Sequence, residues 1–346
     1  MIQFASEFSD GVVSARSSHS PDPRELWNGY FDFALLGASW DVRCMAVTKC
    51  DEIRFGSAVV LIPHAMDPSG SVHADRVSQF CRAKCEQVEV VESMPSNLPH
   101  TLGLIREKLA AEISRVERTV PARVFIDIST CPRYFSLAIL AEALRSGLVA
   151  EVSLGYSEGR YPVAAPSYKD LEEISFTDGA FQAVPVPGFF GEFEPSKGRL
   201  FLVSVGFDGW KTLNLLIRKE PERVVLLLAS PGVLPEYERR TMAANSSLIE
   251  RFDIRDQEIV RASAGDAVEA WKKLTDTALE KFDDENVYYL CSGNKPHSVA
   301  LALRAIAMEM PTLLYNCPAR HLPVSVEVAG TYWTYSIRPA VGTVLG

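Results

Sequence analysis

Apolar runs alternate with segments of helical spacing along most of this chain. The runs at residues 57–63 and 223–229 lack the polar alternation of a strand with one face in water, so they predict parallel strands covered on both faces. Between such runs, the segment at 102–116 repeats apolar residues at helical spacing, which predicts a helix. Strands are expected at 33–36, 57–63, 124–128, 149–156, 200–204, 223–229, 287–291 and 312–315, and helices at 75–84, 102–116, 135–144, 210–218, 237–252, 264–282 and 299–310.

One arrangement of strand, polar turn and helix occurs twice. The strands at 124–128 and 287–291 each run into a short turn, an apolar helix and a further apolar strand. Both turns combine hydroxyl groups with a cation: Ser129, Thr130 and Arg133 in the first copy, and Ser292, Gly293, Asn294 and Lys295 in the second. Whole strand-turn-helix-strand units are therefore duplicated.

A second pair of turns carries an aromatic residue beside a carboxylate. These turns end the strands at 33–36 and 200–204, and they comprise Ser39, Trp40 and Asp41 in the first half and Gly206, Phe207 and Asp208 in the second. Asp208 follows Asp41 at nearly the same interval as Ser292 follows Ser129. The order of elements predicts an α/β fold of two tandem Rossmann-like units with mainly parallel sheets. Ligands of such sheets bind outside the carboxyl ends of the strands, where all four turns lie.

The same pattern divides the chain. Residues 1–25 are rich in Ser and Pro with little apolar periodicity, and they predict an N-terminal arm or a loosely packed lead-in. The first Rossmann-like domain is expected at 26–160, a Pro-rich ordered crossover at 161–198, and the second domain at 199–322. Residues 323–346 alternate on either side of Gly330, which predicts a C-terminal β-hairpin.

The composition fits two domains of ordinary size. The chain has 346 residues, of which 47% are hydrophobic and 23% charged, enough to bury a sizeable core. Its formal net charge of −9 argues against a surface that holds long nucleic acid, which is normally basic, but leaves room for a small anionic ligand in a local pocket. No apolar run approaches the roughly 20 residues that span a bilayer, so no contact with a membrane is expected.

The seven cysteines favour a reducing compartment. They are scattered without a Cys-x-x-Cys pair, and the first residues show no charged segment before a long apolar run, so we expect a cytoplasmic protein. Cys81 and Cys85 lie one helical turn apart, but no histidine pair accompanies them and no metal site is expected. No cofactor is expected either, because the GxGxxG and P-loop patterns are both missing.

The turn residues have structural and ligand-binding interpretations. Ser129 and Thr130 can cap the following helix, or they can combine with its N-terminal amides and Arg133 into an anion site. Asp41 and Asp208 can be helix caps or can accept hydrogen bonds from a ribose or a base. The neighbouring aromatic residues are either core residues or stacking surfaces for a base.

Acid–base candidates are few. His297 and His321 lie near the predicted site and are either solvated loop histidines or acid–base groups. Asp127 lies inside an apolar strand, where it is either an acceptor for loop amides or an ion-pair partner of Arg133. No catalytic residue is identified.

The segment at 289–303 resembles the strand, [ST]-G-x-K-type turn and apolar helix of CARF domains, the Rossmann-like sensors of cyclic oligoadenylates in CRISPR-linked defence. Residues 124–140 look like a diverged copy, and the tandem plan is similar to SAVED domains, which are fused pairs of CARF-like units that sense cyclic nucleotides. The resemblance implies a ligand floor of Ser129, Thr130, Arg133, Ser292, Gly293, Asn294 and Lys295, with sides closed by Ser39, Trp40, Gly206 and Asp208. It departs from the family because no nuclease-like segment follows His321.

Two function hypotheses follow, beside a third alternative in which the chain is a scaffold subunit whose pockets are vestigial. The first is a sensor or binding subunit of prokaryotic antiviral defence, in which a small anionic nucleotide-like ligand, such as a cyclic oligonucleotide, bridges both halves. The second is an enzyme that acts on a nucleotide or nucleoside in the same cleft. The resemblance leaves open whether the chain is a stand-alone sensor, acts on a separate effector protein, or degrades its own ligand.

Overall fold

The chain divides into two units, each with its own sheet. The computed structural model describes residues 1–63, 72–115, 120–161, 177–278, 285–308, 312–321 and 326–340. The first unit comprises Met1–Pro162 with Pro323–Gly346, and the second comprises Val163–Leu322. Both units are mixed α/β, and each contains one mostly parallel sheet.

The elements alternate as the sequence pattern predicts. The first unit contains β1 (Gln3–Ser9), β2 (Val13–Ser20), α1 (Pro23–Leu26), β3 (Gly29–Gly37), a 3₁₀ helix (Val42–Lys49), β4 (Ile53–Pro63), α2 (Ala74–Lys84), β5 (Cys85–Ser93), a 3₁₀ turn (Pro95–Asn97), α3 (Leu98–Ile113), β6 (Ala122–Asp127), α4 (Arg133–Arg145) and β7 (Val149–Arg160). The second unit contains β8 (Thr177–Pro185), β9 (Gly198–Ser204), α5 (Gly209–Lys219), β10 (Arg223–Ala229), α6 (Pro235–Ala244), α7 (Ser246–Arg251), a 3₁₀ turn (Asp256–Glu258), β11 (Ile259–Ala262), α8 (Ala267–Ala278), β12 (Glu285–Cys291), α9 (Lys295–Ile306) and β13 (Thr312–His321). Strand β14 (Glu327–Pro339) belongs to the first unit.

The parallel strands follow the same order in both sheets. The first sheet has the order β1-β2-β14-β7-β6-β3-β4-β5, and the second β8-β13-β12-β9-β10-β11. In each unit the first parallel strand, β3 or β9, is the middle one of five parallel strands. The next two strands of the chain lie on one side of it. The chain then crosses to the other side, where β6 pairs with β3 and β12 pairs with β9, both in parallel. The order therefore reverses at the same place in both sheets.

The predicted strands and helices are present, with local corrections. The helix predicted at 237–252 is divided at Asn245 into α6 and α7. The predictions at 102–116, 264–282 and 299–310 extend at their carboxyl ends outside the described residues. Strands β5 and β11, each at the edge of a sheet, were not predicted. Strand β5 is rich in polar residues, and β11 has only four residues. The predicted crossover at 161–198 lies partly outside the described residues and contributes β8.

The N-terminal arm prediction is wrong, since residues 1–25 contain two paired strands and a helical turn. Strand β2 buries Val13, Ala15 and Ser17 on alternate positions, so its inward face has a strand's period of two, but a serine replaces one apolar residue. The Ser17 hydroxyl accepts a hydrogen bond of 3.1 Å from the backbone amide of Ser6 on β1. A small polar residue that bonds to the neighbouring strand thus conceals the pattern.

The C-terminal hairpin prediction is also wrong, because Glu327–Pro339 forms one strand that pairs with β7 on one side and β2 on the other. The pairing with β7 shifts its register between Val328 and Tyr332, and Gly330 adopts a φ of 88° there. A glycine with positive φ and a shift of register are features of a β-bulge. Gly330 therefore marks a bulge within a strand, although the sequence pattern around it is that of a turn.

A cluster of buried aromatic side chains forms part of the core of the first unit. Phe125 of β6 lies 6.0 Å from Trp27 and 5.2 Å from Phe31, measured between ring centroids. The indole of Trp27 donates a hydrogen bond of 3.1 Å to the carbonyl of Trp333 on β14, which ties the end of the chain to its beginning. Among the described helices, none combines the length and apolar character needed to cross a membrane.

Candidate functional site

The structure brings the predicted turns together in pairs within each unit. In the first sheet Leu36 of β3 pairs with Asp127 of β6, so the turns that follow these strands begin side by side. In the second sheet Ser204 of β9 pairs with Cys291 of β12, with the same result. Each pair of turns lies where the strand order reverses.

The two turns of the first unit pack directly against each other. A Cβ atom added to Gly37 would overlap the Cys131 backbone nitrogen and would lie 2.8 Å from the carbonyl carbon of Thr130. The Thr130 hydroxyl donates a hydrogen bond of 2.9 Å to the Gly37 carbonyl. Glycine is therefore required at the end of β3 because the second turn occupies the space of a side chain.

Ser129 and Asp127 stabilise the turn after β6 from within. The Asp127 carboxylate accepts a hydrogen bond of 2.8 Å from the Ser129 amide, which confirms the interpretation that Asp127 is an acceptor for loop amides. The fully buried Ser129 hydroxyl accepts a bond of 2.9 Å from the Ser157 amide at the end of β7. The capping interpretation of Ser129 and Thr130 is wrong, because Pro132 holds the cap position of α4 and no side-chain capping bond is formed there. Arg133 is the first residue of α4 and is half-buried.

The turn after β3 holds a buried ion pair that the sequence analysis missed. Asp41 caps the 3₁₀ helix by accepting a bond of 3.0 Å from the Arg43 amide, as one of its two interpretations predicts. The Arg43 guanidinium also approaches the Asp41 carboxylate, with an Nη2–Oδ2 distance of 2.6 Å. Ser39 is buried and its hydroxyl accepts a bond of 3.2 Å from the Asp41 amide, whereas Trp40 is half-buried. An arginine two residues beyond the aspartate was the available signal for this pair.

The turns of the second unit also meet at glycines. A Cβ atom on Gly293 would lie 2.7 Å from the Val205 carbonyl oxygen, and one on Gly206 would lie 3.2 Å from the Ser292 carbonyl oxygen. The Ser204 hydroxyl accepts a hydrogen bond of 3.1 Å from the Gly293 amide. The glycines therefore allow the two turns to pack closely.

The start of α9 combines a cap, a lysine and an unused hydroxyl. The Asn294 side chain accepts a bond of 2.8 Å from the His297 amide and donates one of 3.0 Å to the Ala264 carbonyl, so it caps the helix and anchors it to a neighbouring loop. Lys295 is the first residue of the helix and is half-buried. The Ser292 hydroxyl oxygen is buried and has no hydrogen-bond partner within the part of the chain that the structure describes.

Asp208 precedes α5 but forms an ion pair instead of a cap. Its side chain makes no capping hydrogen bond to the helix, and its Oδ1 atom lies 3.3 Å from Nζ of the buried Lys211. The adjacent Trp210 is 51% exposed and lies under Lys211, with 5.4 Å between Nζ and the ring centroid. Phe207 packs edge-on against Tyr237 of α6 at a centroid distance of 5.3 Å. The exposed aromatic residue next to this turn is Trp210, which the sequence analysis did not single out.

His297 is neither a solvated loop residue nor an accessible acid–base group. It is fully buried, and its Nε2 atom lies 3.0 Å from the Ser263 carbonyl. Burial lowers the pKa of His297 to about 4, so the ring is neutral near pH 7. The other histidine considered, His321, ends β13, and its side chain lies outside the described residues.

No family model matches this chain, and no curated protein matches it either. The resemblance to CARF and SAVED domains stays a prediction. The same is true of a single ligand that contacts the turns of both units. Within each unit, the paired turns and the starts of α4 and α9 are the candidate ligand-binding elements.

Proposed function

We propose that the protein is a sensor or binding subunit for a nucleotide-type ligand, built from two tandem Rossmann-like units. The observation that carries the proposal is the shared order of the parallel strands, in which β3 and β9 each separate two parallel strands on one side from two on the other. In open α/β sheets, ligands bind outside the carboxyl ends of the strands at the point where this order reverses. The paired turns lie at that point in each unit.

An anionic ligand fits the chemistry of these turns. Helices α4 and α9 both point their N-terminal ends at the turn region, and the positive end of a helix dipole favours a phosphate. Arg133 and Lys295 are the first residues of these helices, so each adds a cation to that end. In a chain of net charge −9, this placement supports local selection of an anion.

Binding is better supported than catalysis. Burial keeps His297 neutral, and its Nε2 faces a backbone carbonyl. The carboxylates of Asp41 and Asp127 are engaged by Arg43 and by the Ser129 amide, respectively. A general acid or base must reach the reacting atom of the substrate, and these three groups are buried. A cyclic oligonucleotide, the ligand class of the domains that the chain resembles, is the first candidate, with a role in antiviral defence.

Isothermal titration with cyclic oligoadenylates, cyclic dinucleotides and their linear counterparts tests this function. Arg133→Ala and Lys295→Ala should each weaken binding by at least about tenfold, since a hydrogen bond to a charged group contributes about 1.5–3 kcal/mol. Arg76→Ala and Lys272→Ala are matched controls, because both residues are exposed on helices away from the turns.

The outcomes separate binding from catalysis. If none of the nucleotides binds, or if Arg133→Ala and Lys295→Ala bind as the wild type does, the proposed function is wrong. Chromatography of the recovered nucleotide after prolonged incubation should return it unchanged. Conversion that depends on the protein would instead support the enzyme hypothesis.

A further inference from the structure

Arg240 is a buried cation that has no counter-charge among the described residues. It lies on α6 of the second unit and is 4% exposed. Its Nε atom is buried without a hydrogen-bond partner, and its guanidinium forms no hydrogen bond or ion pair with any residue that the structure describes. A guanidinium offers five N–H donors, so a buried one is normally satisfied by carboxylates or carbonyls.

Within the described residues, the guanidinium stacks on an aromatic ring. The Cζ atom of Arg240 lies 4.8 Å from the ring centroid of Phe207, in the turn that follows β9. A cation–π contact contributes about 0.5–2 kcal/mol and leaves the N–H donors in the plane of the guanidinium unsatisfied. Burial accordingly lowers the pKa of Arg240. Phe207 stacks on the guanidinium, and the terminal Nη donors form no hydrogen bond with the described residues.

The backbone around Phe207 is fixed by α6 itself. The Asn245 side-chain amide, at the end of α6, donates a bond of 2.8 Å to the Gly206 carbonyl. A Cβ atom on Gly209 would lie 2.5 Å from the carbonyl carbon of Ala244, so the last turn of α6 is in direct contact with the first residue of α5. Arg240 therefore lies on a helix that is in direct contact with the turn on which it stacks.

The start of α5 offers further donors at this turn. Helix α5 begins at Gly209, and its cap residue Asp208 makes no side-chain capping bond. The amides of Lys211 and Thr212 bond to the Asp208 carbonyl, whereas those of Gly209 and Trp210 have no hydrogen-bond partner in the described part of the chain. Unpaired amides at a helix start favour an anion for the same reason as the guanidinium does.

We propose that Arg240 binds a compact oxyanion, a phosphate or phosphate ester, at the Phe207 turn of the second unit. The anion would accept charge-assisted hydrogen bonds from the guanidinium and would supply the missing counter-charge. The inference deepens the proposed function, because the phosphate would then belong to the nucleotide-type ligand. The Arg240 inference rests on the proposed function only for the identity of the larger ligand. Phosphate binding by Arg240 can be measured without any nucleotide.

The test uses inorganic phosphate and pyrophosphate as probes, in a buffer free of other oxyanions, with sodium chloride at equal ionic strength as reference. Pyrophosphate should raise the Tm of the wild type and bind it in isothermal titration. Arg240→Gln should abolish the Tm shift, and Arg240→Lys, which keeps the charge without the planar fork, should weaken binding by about tenfold. Arg239→Gln is the matched control, since Arg239 is the exposed neighbour on the same helix.

If Arg240 serves to bind an oxyanion, Arg240→Gln without oxyanion should unfold at the same Tm as the wild type or higher, because the substitution removes an uncompensated buried charge. A purely structural role for Arg240 predicts a lower Tm instead. A lower Tm together with an unchanged pyrophosphate shift, or no pyrophosphate binding by the wild type, would overturn the proposal. If Arg240→Gln does not fold, Arg240→Lys carries the test, and equal affinity of that variant and the wild type would be decisive against it.

The two proposals can fail separately. Nucleotide binding that Arg240→Gln leaves unchanged would refute the phosphate site and leave the proposed function intact. Pyrophosphate binding that requires Arg240, without any nucleotide binding, would refute the proposed function and leave the phosphate site intact.

Discussion

Asp41 and Arg43 form a buried ion pair beyond the carboxyl end of β3, with 2.6 Å between the Oδ2 and Nη2 atoms. Both side chains are about nine-tenths buried, so bulk water solvates neither charge well. The corresponding turn of the second unit has a different arrangement, in which Asp208 pairs with Lys211 and the buried Arg240 has a ring as its neighbour. The two units therefore differ in how the charges near their central turns are balanced.

Asp41→Asn should lower the free energy of unfolding by about 3 kcal/mol, because it leaves Arg43 buried without a counter-charge. Urea denaturation measures this change. Asp51→Asn, at an exposed position nearby in the chain, is the control and should stay within about 0.5 kcal/mol of the wild type. The double variant Asp41→Asn/Arg43→Met should recover part of the loss. An Asp41→Asn variant as stable as the control would show that the pair does not stabilise the fold.

Gly209→Ala should destabilise the second unit by about 1–3 kcal/mol or more, because the added Cβ would overlap the Ala244 carbonyl. Gly103→Ala, in the middle of α3, is the matched control, since nothing lies within 4 Å of the added atom. That control should gain about 0.5–1 kcal/mol from helix propensity. Equal effects of the two substitutions in thermal unfolding would contradict the close approach of α6 to α5.

His297 should make the protein less stable as the pH falls from 6.5 towards 4. Burial lowers its pKa from the ordinary 6.5 to about 4, so in this interval the unfolded chain binds a proton that the folded chain does not. The stability due to the neutral ring is complete above pH 6.5 and falls by up to about 3 kcal/mol by pH 4. Urea denaturation of the wild type and of His297→Gln across this range isolates this contribution. Parallel pH profiles of the two proteins would exclude it.

Several thiols should resist modification in the folded protein. Cys44, Cys50 and Cys81 are fully buried, and burial raises the pKa of each to about 12. A thiol-reactive chromophore at pH 8 should label these residues only after denaturation, whereas the half-buried Cys85 should react sooner. Peptide mapping by mass spectrometry assigns the labelled positions. Rapid labelling of Cys44, Cys50 or Cys81 in the native protein would show that its site opens readily.

The parallel strands could be predicted from the sequence because they are buried on both faces. Residues 224–228 of β10 are apolar without interruption and are all buried, so the pattern and the structure coincide. Strand β5 carries Glu86, Glu89 and Glu92 at a sheet edge, and these charges interrupt the apolar run by which the buried strands were recognised. Edge strands need fewer apolar residues, which is why β1 and β5 were missed, whereas β11 was missed because it has only four residues.

The sequence located the four turns but not the hydrogen-bond and ion-pair partners of their residues. The duplication placed the turns correctly at the ends of β3, β6, β9 and β12. It did not reveal that the Ser129 hydroxyl bonds to the Ser157 amide of another strand, or that Arg43 neutralises Asp41. These partners depend on which backbone groups meet after folding, and the side chains of Ser and Asp fit a cap, a loop contact or a ligand contact equally well.

The sequence by itself determined the alternation of strands and helices, the duplication and the position of the turns, because the burial of apolar residues imposes a local period on the chain. The tertiary structure alone decided which charges are balanced. Arg43 and Arg240 look equivalent as letters in the sequence, yet one is paired with a carboxylate and the other lies over Phe207. Coulombic and hydrogen-bond partners are set by distances in space, which a one-dimensional pattern does not contain.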